Sequence, residues 1–159
     1  MLSGGDKIYI KGRCIGGCLD TIRDLIGTKY DNIKNYIKNY KDDGIIWFLE
    51  SFEVNTPEQF RTLWQMKNAG YFENCKGIVF GRSLIVREDY DISYINASLD
   101  ALKEYDFPII FGADIGHVAP QIPIINGSIL EVNSENGKGW MRSIFYWHFF
   151  SLIYNKYEK

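Results

Sequence analysis

The sequence lacks a long hydrophobic run and an excess of positive charge. Its longest apolar-rich stretch, residues 144–154, is interrupted by His148 and Ser151 and falls short of the roughly 20 apolar residues that a transmembrane helix needs. The formal net charge is −2, so the chain as a whole has no basic surface of the kind that binds nucleic acid. We therefore expect neither a membrane nor a nucleic acid among its partners.

Cysteines are few and odd in number, at positions Cys14, Cys18 and Cys75. Residues 1–13 alternate charged and apolar side chains, and they contain no apolar core of a secretory signal. An odd set of cysteines without such a signal is typical of free thiols in a reducing compartment. The sequence thus favours a cytoplasmic location.

Histidine is also scarce, with only His117 and His148. The Cys14-x3-Cys18 spacing would supply half of a zinc site, but a closed zinc site needs four ligands. The other candidate ligands, Cys75 and the two histidines, lie far away along the chain. The sequence accordingly predicts no metal site and no cofactor.

The sequence does contain enough apolar residues for a substantial core. Of 159 residues, 46% are hydrophobic and 24% charged, which is typical of one globular domain. Apolar periodicity predicts helices at residues 19–26, 33–40, 56–67 and 92–105, and strands at 7–11, 44–50, 77–80, 108–111, 122–125 and 129–132. Strands that alternate with helices indicate parallel pairing. Hairpin signals near the end indicate an antiparallel part, so we predict a mixed α/β domain with two β layers.

Several boundaries are predicted from local signals. Thr56 is expected to cap its helix, with Gln59 completing a capping box. Glycines around Cys14 predict a flexible loop at residues 12–18. Asn126-Gly127 is a strong two-residue hairpin signal between the last two predicted strands, and residues 134–139 are expected to form a linker.

Two predicted buried strands are followed by residues whose side chains could act in catalysis, an acid and a histidine. Residues 45–49 form an unbroken apolar run that ends in Glu50, and the strand at 108–111 leads into a loop that carries His117. Functional groups in open α/β sheets commonly follow the carboxyl ends of strands. The alternatives are that Glu50 is simply the first solvated residue after its strand and that His117 is a surface-loop histidine. We predict that the two side chains lie at one edge of the sheet, on the same side.

Short segments of the chain resemble a known family, the C-terminal domain of the LD-carboxypeptidases. These serine peptidases include muramoyltetrapeptide carboxypeptidase and the microcin C self-immunity peptidases. The matching segments occur in the family's order and with similar spacing: 12–19 (GRCIGGCL), 25–28 (LIGT), 46–51 (IWFLES), 60–63 (FRTL), 69–70 (AG), 77–81 (GIVFG), 114–117 (DIGH) and 122–123 (IP).

The resemblance implies a fold and an activity. It implies a three-layer swivelling β/β/α domain at residues 1–133, with residues 134–159 as a linker and an aromatic-rich extension of unknown role. It also implies that Glu50 and His117 belong to a Ser-Glu-His triad, whose serine lies on an N-terminal domain in full-length members. The implied reaction is cleavage of the terminal D-alanine from a murein tetrapeptide in cytoplasmic cell-wall recycling.

The sequence departs from the family in two places. The family usually has Asn where this chain has Cys18. No Gly-x-Ser-x-Gly motif occurs, and Ser83, which follows a short strand, is interpreted as a loop residue. The nucleophile domain is therefore expected to be absent, and the isolated chain is expected to be inactive.

Other functions remain open at this point. The chain could be a ligand-binding or accessory domain that keeps the fold without turnover. It could also be an interaction module, in which the apolar side chains after residue 138 form the interface of a homodimer.

Overall fold

A computed structural model describes residues 7–85 and 87–145. Within these residues the chain forms six strands and four helices. The strands are β1 (Lys7–Cys18), β2 (Ile45–Glu50), β3 (Cys75–Gly81), β4 (Ile109–Ala113), β5 (Ile129–Glu135) and β6 (Lys138–Ile144); the helices are α1 (Leu19–Leu25), α2 (Ile33–Asn39), α3 (Thr56–Asn68) and α4 (Tyr94–Leu102). Among them no helix is long and apolar enough to cross a membrane.

All six strands belong to one mixed sheet with the order β4-β3-β2-β1-β5-β6. The four strands from β4 to β1 are parallel, whereas β5 is antiparallel to both β1 and β6. The parallel half is built by strand–helix–strand units in which a short apolar strand is buried on both faces. In β2, for example, the apolar positions from Ile45 to Leu49 are all buried or half-buried.

The sheet bends over itself and encloses two cores. One core lies between the helices and the parallel strands and includes Trp47 and Phe80. The other joins Ile10 of β1 to Val79 of β3. The first half of β1 pairs with β5, and its pairing with β2 begins only at Arg13. The outer half of the sheet therefore covers the face of the parallel strands opposite the helices, and the predicted mixed α/β fold with two β layers is confirmed.

Helix α3 begins one residue earlier than its sequence signal suggests. Asn55, not Thr56, is the N-cap: its side chain accepts a hydrogen bond from the Glu58 N–H, and the Glu58 carboxylate accepts one from the Asn55 N–H. The predicted capping box with Gln59 is wrong, because the Gln59 side chain is buried among other polar groups. Capping residues satisfy the free N–H groups of the first helical turn, and Asn is as suited to that role as Thr.

Four predictions of loops, strands or turns are wrong because local patterns do not show how distant segments interact. Residues 12–18 are not a flexible loop but the second half of β1, paired with β2. Residues 122–125 form no strand, and Asn126 makes no hairpin: its side chain exchanges hydrogen bonds with the backbone N–H and C=O of Gly16. Residues 134–139 are not a linker, since they close the hairpin between β5 and β6.

The extension after residue 133 is described only in part. Trp140 and Ile144 lie in β6, which pairs along its length with β5. The rest of the predicted aromatic extension, residues 146–159, lies outside the described residues. The division of the chain at residue 133 and the role of the extension stay predictions.

Candidate active site

The structure brings Glu50 and His117 together. Glu50 is the last residue of β2, and its carboxylate oxygen Oε2 lies 2.9 Å from His117 Nδ1. The Glu50 side chain is 6% exposed and that of His117 is 47% exposed. The predicted proximity of the two side chains is confirmed, and the alternative that Glu50 is a solvated residue after the strand is wrong.

Two glycines allow His117 to reach Glu50. Strand β4 is separated from β2 by β3, so the loop after β4 must cross the end of β3. A Cβ atom on Gly81, the last residue of β3, would lie 2.4 Å from the Ile115 carbonyl oxygen. A Cβ atom on Gly116 would lie 2.6 Å from Glu50 Cγ, and the φ angle of Gly116 is +94°. Glycine is needed at both positions because any side chain would push the loop away from the carboxylate.

Arg82 holds the loop on both sides of His117. Its guanidinium donates hydrogen bonds to the carbonyl oxygens of Val118 and Pro120, at 3.0 and 2.7 Å. The same nitrogen lies 2.9 Å from the Asp114 carboxylate. Because these contacts bracket His117, they limit how far its ring can move from Glu50.

The pair has the geometry of a base and its orienting group. A carboxylate is only a hydrogen-bond acceptor, so Nδ1–H of His117 donates to Glu50. The carboxylate thereby selects one tautomer, in which Nε2 can accept a proton. The ring of Phe52 packs against the imidazole, with ring centres 5.0 Å apart, and further restricts its orientation.

A third functional side chain, Cys18, lies beside the pair. Cys18 ends β1 and is directly opposite Glu50 in the parallel register. Burial, together with the negative charge of Glu50, raises the pKa of the Cys18 thiol to about 11. A thiol with that pKa is protonated at neutral pH, so Cys18 is not an activated nucleophile.

Asp20 fastens the segment after Glu50 to the start of α1. Its carboxylate accepts hydrogen bonds from the backbone N–H groups of Phe52 and Glu53, at 2.9 and 3.1 Å, and from the Cys18 thiol at 3.4 Å. Partial burial raises the pKa of the Asp20 carboxyl, but these hydrogen bonds outweigh that effect, and its pKa lies below the ordinary value. The ionised form is therefore the one that the fold stabilises.

This depressed pKa predicts an acid-dependent contribution to stability. The contribution of Asp20 should be complete above the ordinary Asp pKa of about 3.9 and should disappear as pH falls through the lower folded-state value. In urea unfolding between pH 7 and pH 2.5, the Asp20→Asn variant should be less stable than wild type at neutral pH, and the difference should shrink in acid. Asp100→Asn, which removes an exposed carboxylate on α4, is the matched control. A difference that stays constant down to the lowest pH would contradict the assignment.

The serines near the pair are bound to other groups. Ser51, which follows Glu50, is buried and donates its hydroxyl to Gln59 Oε1 at 3.0 Å. Ser83 lies outside helices and strands, as predicted, and donates its hydroxyl to the Ser51 carbonyl oxygen at 3.2 Å. Both hydroxyls serve to anchor the end of β2, and neither is hydrogen-bonded to His117.

Local sequence patterns predicted neither Asp20 nor Arg82 at this site, nor the strand register that places Cys18 opposite Glu50. The Gly-Gly pair before Cys18 suggested a loop, so the register of Cys18 with Glu50 was not foreseen. Asp20 had a partial signal in the sequence, since an acid is favoured in the first turn of a helix by the helix dipole. Nothing local indicated that it would bind the N–H groups of Phe52 and Glu53.

Comparisons with known proteins agree with this architecture. A model of the LD-carboxypeptidase C-terminal domain matches residues 11–132. Among solved structures, the chain is similar to the microcin C7 self-immunity protein MccF, with a TM-score of 0.72 and 21% identity over 91% of this chain and 41% of that chain. It is also similar to a muramoyltetrapeptide carboxypeptidase from Oxalobacter formigenes, with a TM-score of 0.70 and 19% identity over 88% of this chain and 47% of that chain.

The likeness to these two solved structures is one of fold. The chain spans less than half the length of each of them. A search of curated proteins finds no match.

Proposed function

Because this chain belongs to the family of LD-carboxypeptidase C-terminal domains, we propose that it supplies the glutamate and the histidine of a serine carboxypeptidase. The observation that carries the proposal is the contact of 2.9 Å between Glu50 Oε2 and His117 Nδ1. The nucleophilic serine would come from a second domain, which docks against the exposed edge of the His117 ring.

Each residue has a role that follows from its chemistry. Serine is a weak nucleophile and needs a base within hydrogen-bond reach. Nε2 of His117 takes the serine proton as the hydroxyl attacks the peptide carbonyl, and returns it to the leaving amine when the C–N bond breaks. Glu50 holds the Nδ1–H tautomer and stabilises the imidazolium that forms in between. Water then releases the acyl group by the same proton transfers in reverse order.

An apolar surface beside the pair is suited to a docking domain. Leu84 and Ile85 are 45% and 41% exposed. Their backbone N–H groups donate to the carbonyl oxygens of Ser51 and Phe52, so they lie next to the segment that follows Glu50. Burial of these side chains under the nucleophile domain would exclude water from the reacting groups, as interdomain contacts in catalytic sites commonly do.

The substrate that we propose is a murein tetrapeptide, and the bond cleaved is the one before its terminal D-alanine. This choice rests on the family, which is described by its L,D-carboxypeptidase activity, and on the similarity to a muramoyltetrapeptide carboxypeptidase. The corresponding biological role is cytoplasmic recycling of cell-wall peptides.

The proposal predicts activity only after reconstitution. The isolated chain should release no D-alanine from a murein tetrapeptide, because a base and its orienting group without a nucleophile cannot form an acyl-enzyme. Addition of a family nucleophile domain, either as a separate chain or fused to the N-terminus, should restore release. D-alanine is measured by an oxidase-coupled assay, and the nucleophile domain alone is the control.

Two outcomes would contradict the proposal. Hydrolysis by the isolated chain would place the nucleophile within residues 1–159. A stable complex with the nucleophile domain that binds the tetrapeptide but never cleaves it would show that the chain is a non-catalytic binding module with the same fold.

A further inference from the structure

We propose that Cys18, Glu50 and His117 together form a binding site for a single zinc-like divalent cation. One donor atom from each residue can be chosen so that all three lie within 4.8 Å of one another. The site goes beyond the proposed hydrolase function and needs no second domain, because all three ligands belong to this chain.

The three ligands are held by rigid elements. Cys18 and Glu50 end neighbouring parallel strands and are register partners. His117 is positioned by the loop that Arg82 binds on both sides. Because the ligands are already close together, the protein needs little reorganisation when the ion binds. Little of the binding free energy is therefore lost in ordering the chain.

The donor set selects the metal. Zinc binds thiolate sulfur, imidazole nitrogen and carboxylate oxygen at about 2.0–2.3 Å, so tetrahedral ligands lie roughly 3.3–3.8 Å apart. To hold the ion, the Nδ1–Oε2 distance of 2.9 Å must widen, and any pair of donor atoms near the 4.8 Å limit must close by about 1 Å. Calcium and magnesium require oxygen ligands and disfavour the sulfur.

Charge balance also favours a divalent cation. Zinc binding forms a Zn–S bond and releases the thiol proton to solvent, since a coordinating thiol is deprotonated. For Nδ1 of His117 to coordinate, the ring takes up its other neutral tautomer, with the proton on Nε2 instead of Nδ1. The thiolate, the Glu50 carboxylate and neutral His117 then bring two negative charges to the double positive charge of the ion. Three protein ligands leave a fourth tetrahedral position open to water, as in catalytic zinc sites.

The ion must also outweigh the charge of Asp20. The Asp20 carboxylate accepts a hydrogen bond of 3.4 Å from the Cys18 thiol and is itself fixed by the Phe52 and Glu53 N–H groups. Metal binding removes this hydrogen bond and leaves the thiolate beside the carboxylate, so the attraction of both groups to the cation must offset their mutual repulsion. Because an ion would occupy both Glu50 and His117, metal binding and the proposed base role of His117 exclude each other.

Cobalt(II) is the probe, since it replaces zinc and reports a thiolate ligand by light absorption. The full, tag-free chain is titrated with cobalt(II) without oxygen. We expect one cobalt per chain, a near-ultraviolet band from sulfur-to-cobalt charge transfer, and loss of that band when zinc is added. Cys18→Ser should abolish the band and weaken binding by at least about 100-fold, because loss of an outer-shell partner alone costs 10–100-fold.

Cys75 provides the matched control. Cys75 is the first residue of β3 and lies at the amino-terminal ends of the parallel strands, away from the site at their carboxyl ends. Cys75→Ser should therefore keep both the charge-transfer band and the affinity for cobalt. Cys18→Asn is a second variant that removes the thiol, and circular dichroism confirms that each variant is folded. Cobalt binding without a thiolate band, or a band that survives in folded Cys18→Ser or Cys18→Asn, would overturn the site. Neither result would bear on reconstituted peptidase activity.

Discussion

Replacement of His117 by alanine should lower D-alanine release by the reconstituted enzyme roughly 10²–10⁴-fold, which is the usual contribution of general acid–base catalysis. The variant loses the group that accepts the serine proton and the group that protonates the leaving amine. The loss of His117 also removes the hydrogen bond of the buried Glu50 carboxylate, so we expect the free energy of unfolding to fall by about 1–3 kcal/mol, which leaves the domain folded. The measurement is kcat/KM for the tetrapeptide at a saturating concentration of the nucleophile domain.

Two further variants separate catalysis from folding and docking. Glu50→Gln should also reduce the rate, because an amide cannot stabilise the imidazolium as a carboxylate does. Gln121→Ala removes an exposed side chain from the same loop and should leave the rate at the wild-type value. If His117→Ala retains the full rate while it still binds the nucleophile domain, His117 is not the base.

Replacement of Gly16 by alanine should destabilise the fold more than any exposed substitution. An alanine Cβ at this position would lie 1.7 Å from the Phe48 carbonyl oxygen and 2.9 Å from the Phe48 nitrogen. The obstacle is backbone rather than a flexible side chain, so β1 and β2 must separate locally. We expect a loss of at least about 3 kcal/mol, the upper end of the cost of overpacking, measured by urea unfolding.

Gly17→Ala is the matched control for this prediction. Gly16 and Gly17 have similar φ angles of 157° and 149°, but a Cβ atom on Gly17 would contact nothing within 4 Å. The free-energy cost of an alanine at such a φ angle is therefore common to the two variants. The difference between their free energies of unfolding measures how closely β1 approaches β2 at Gly16. Equal destabilisation by the two substitutions would mean that the strands do not approach as closely as described.

Local sequence patterns were sufficient to predict most of the helices, the parallel strands and the edge of the sheet that carries Glu50 and His117. Short apolar runs such as residues 45–49 remain buried in almost any α/β arrangement, and residues after strand ends in such sheets meet at one edge. The short segments that match the family indicated, in addition, the resemblance to the LD-carboxypeptidase C-terminal domain.

By itself, the sequence thus determined the four helices and the apolar parts of the parallel strands and β5, and that an acid and a histidine follow two buried strands. Tertiary structure decided the length of β1, the pairing of β6 with β5, and the meeting of Cys18 with Glu50. These features depend on pairing between distant segments, such as Gly16 with Phe48 and Lys7 with Glu135. A glycine pair carries no side-chain pattern of its own, so only its approach to a neighbouring strand distinguishes the end of β1 from a loop.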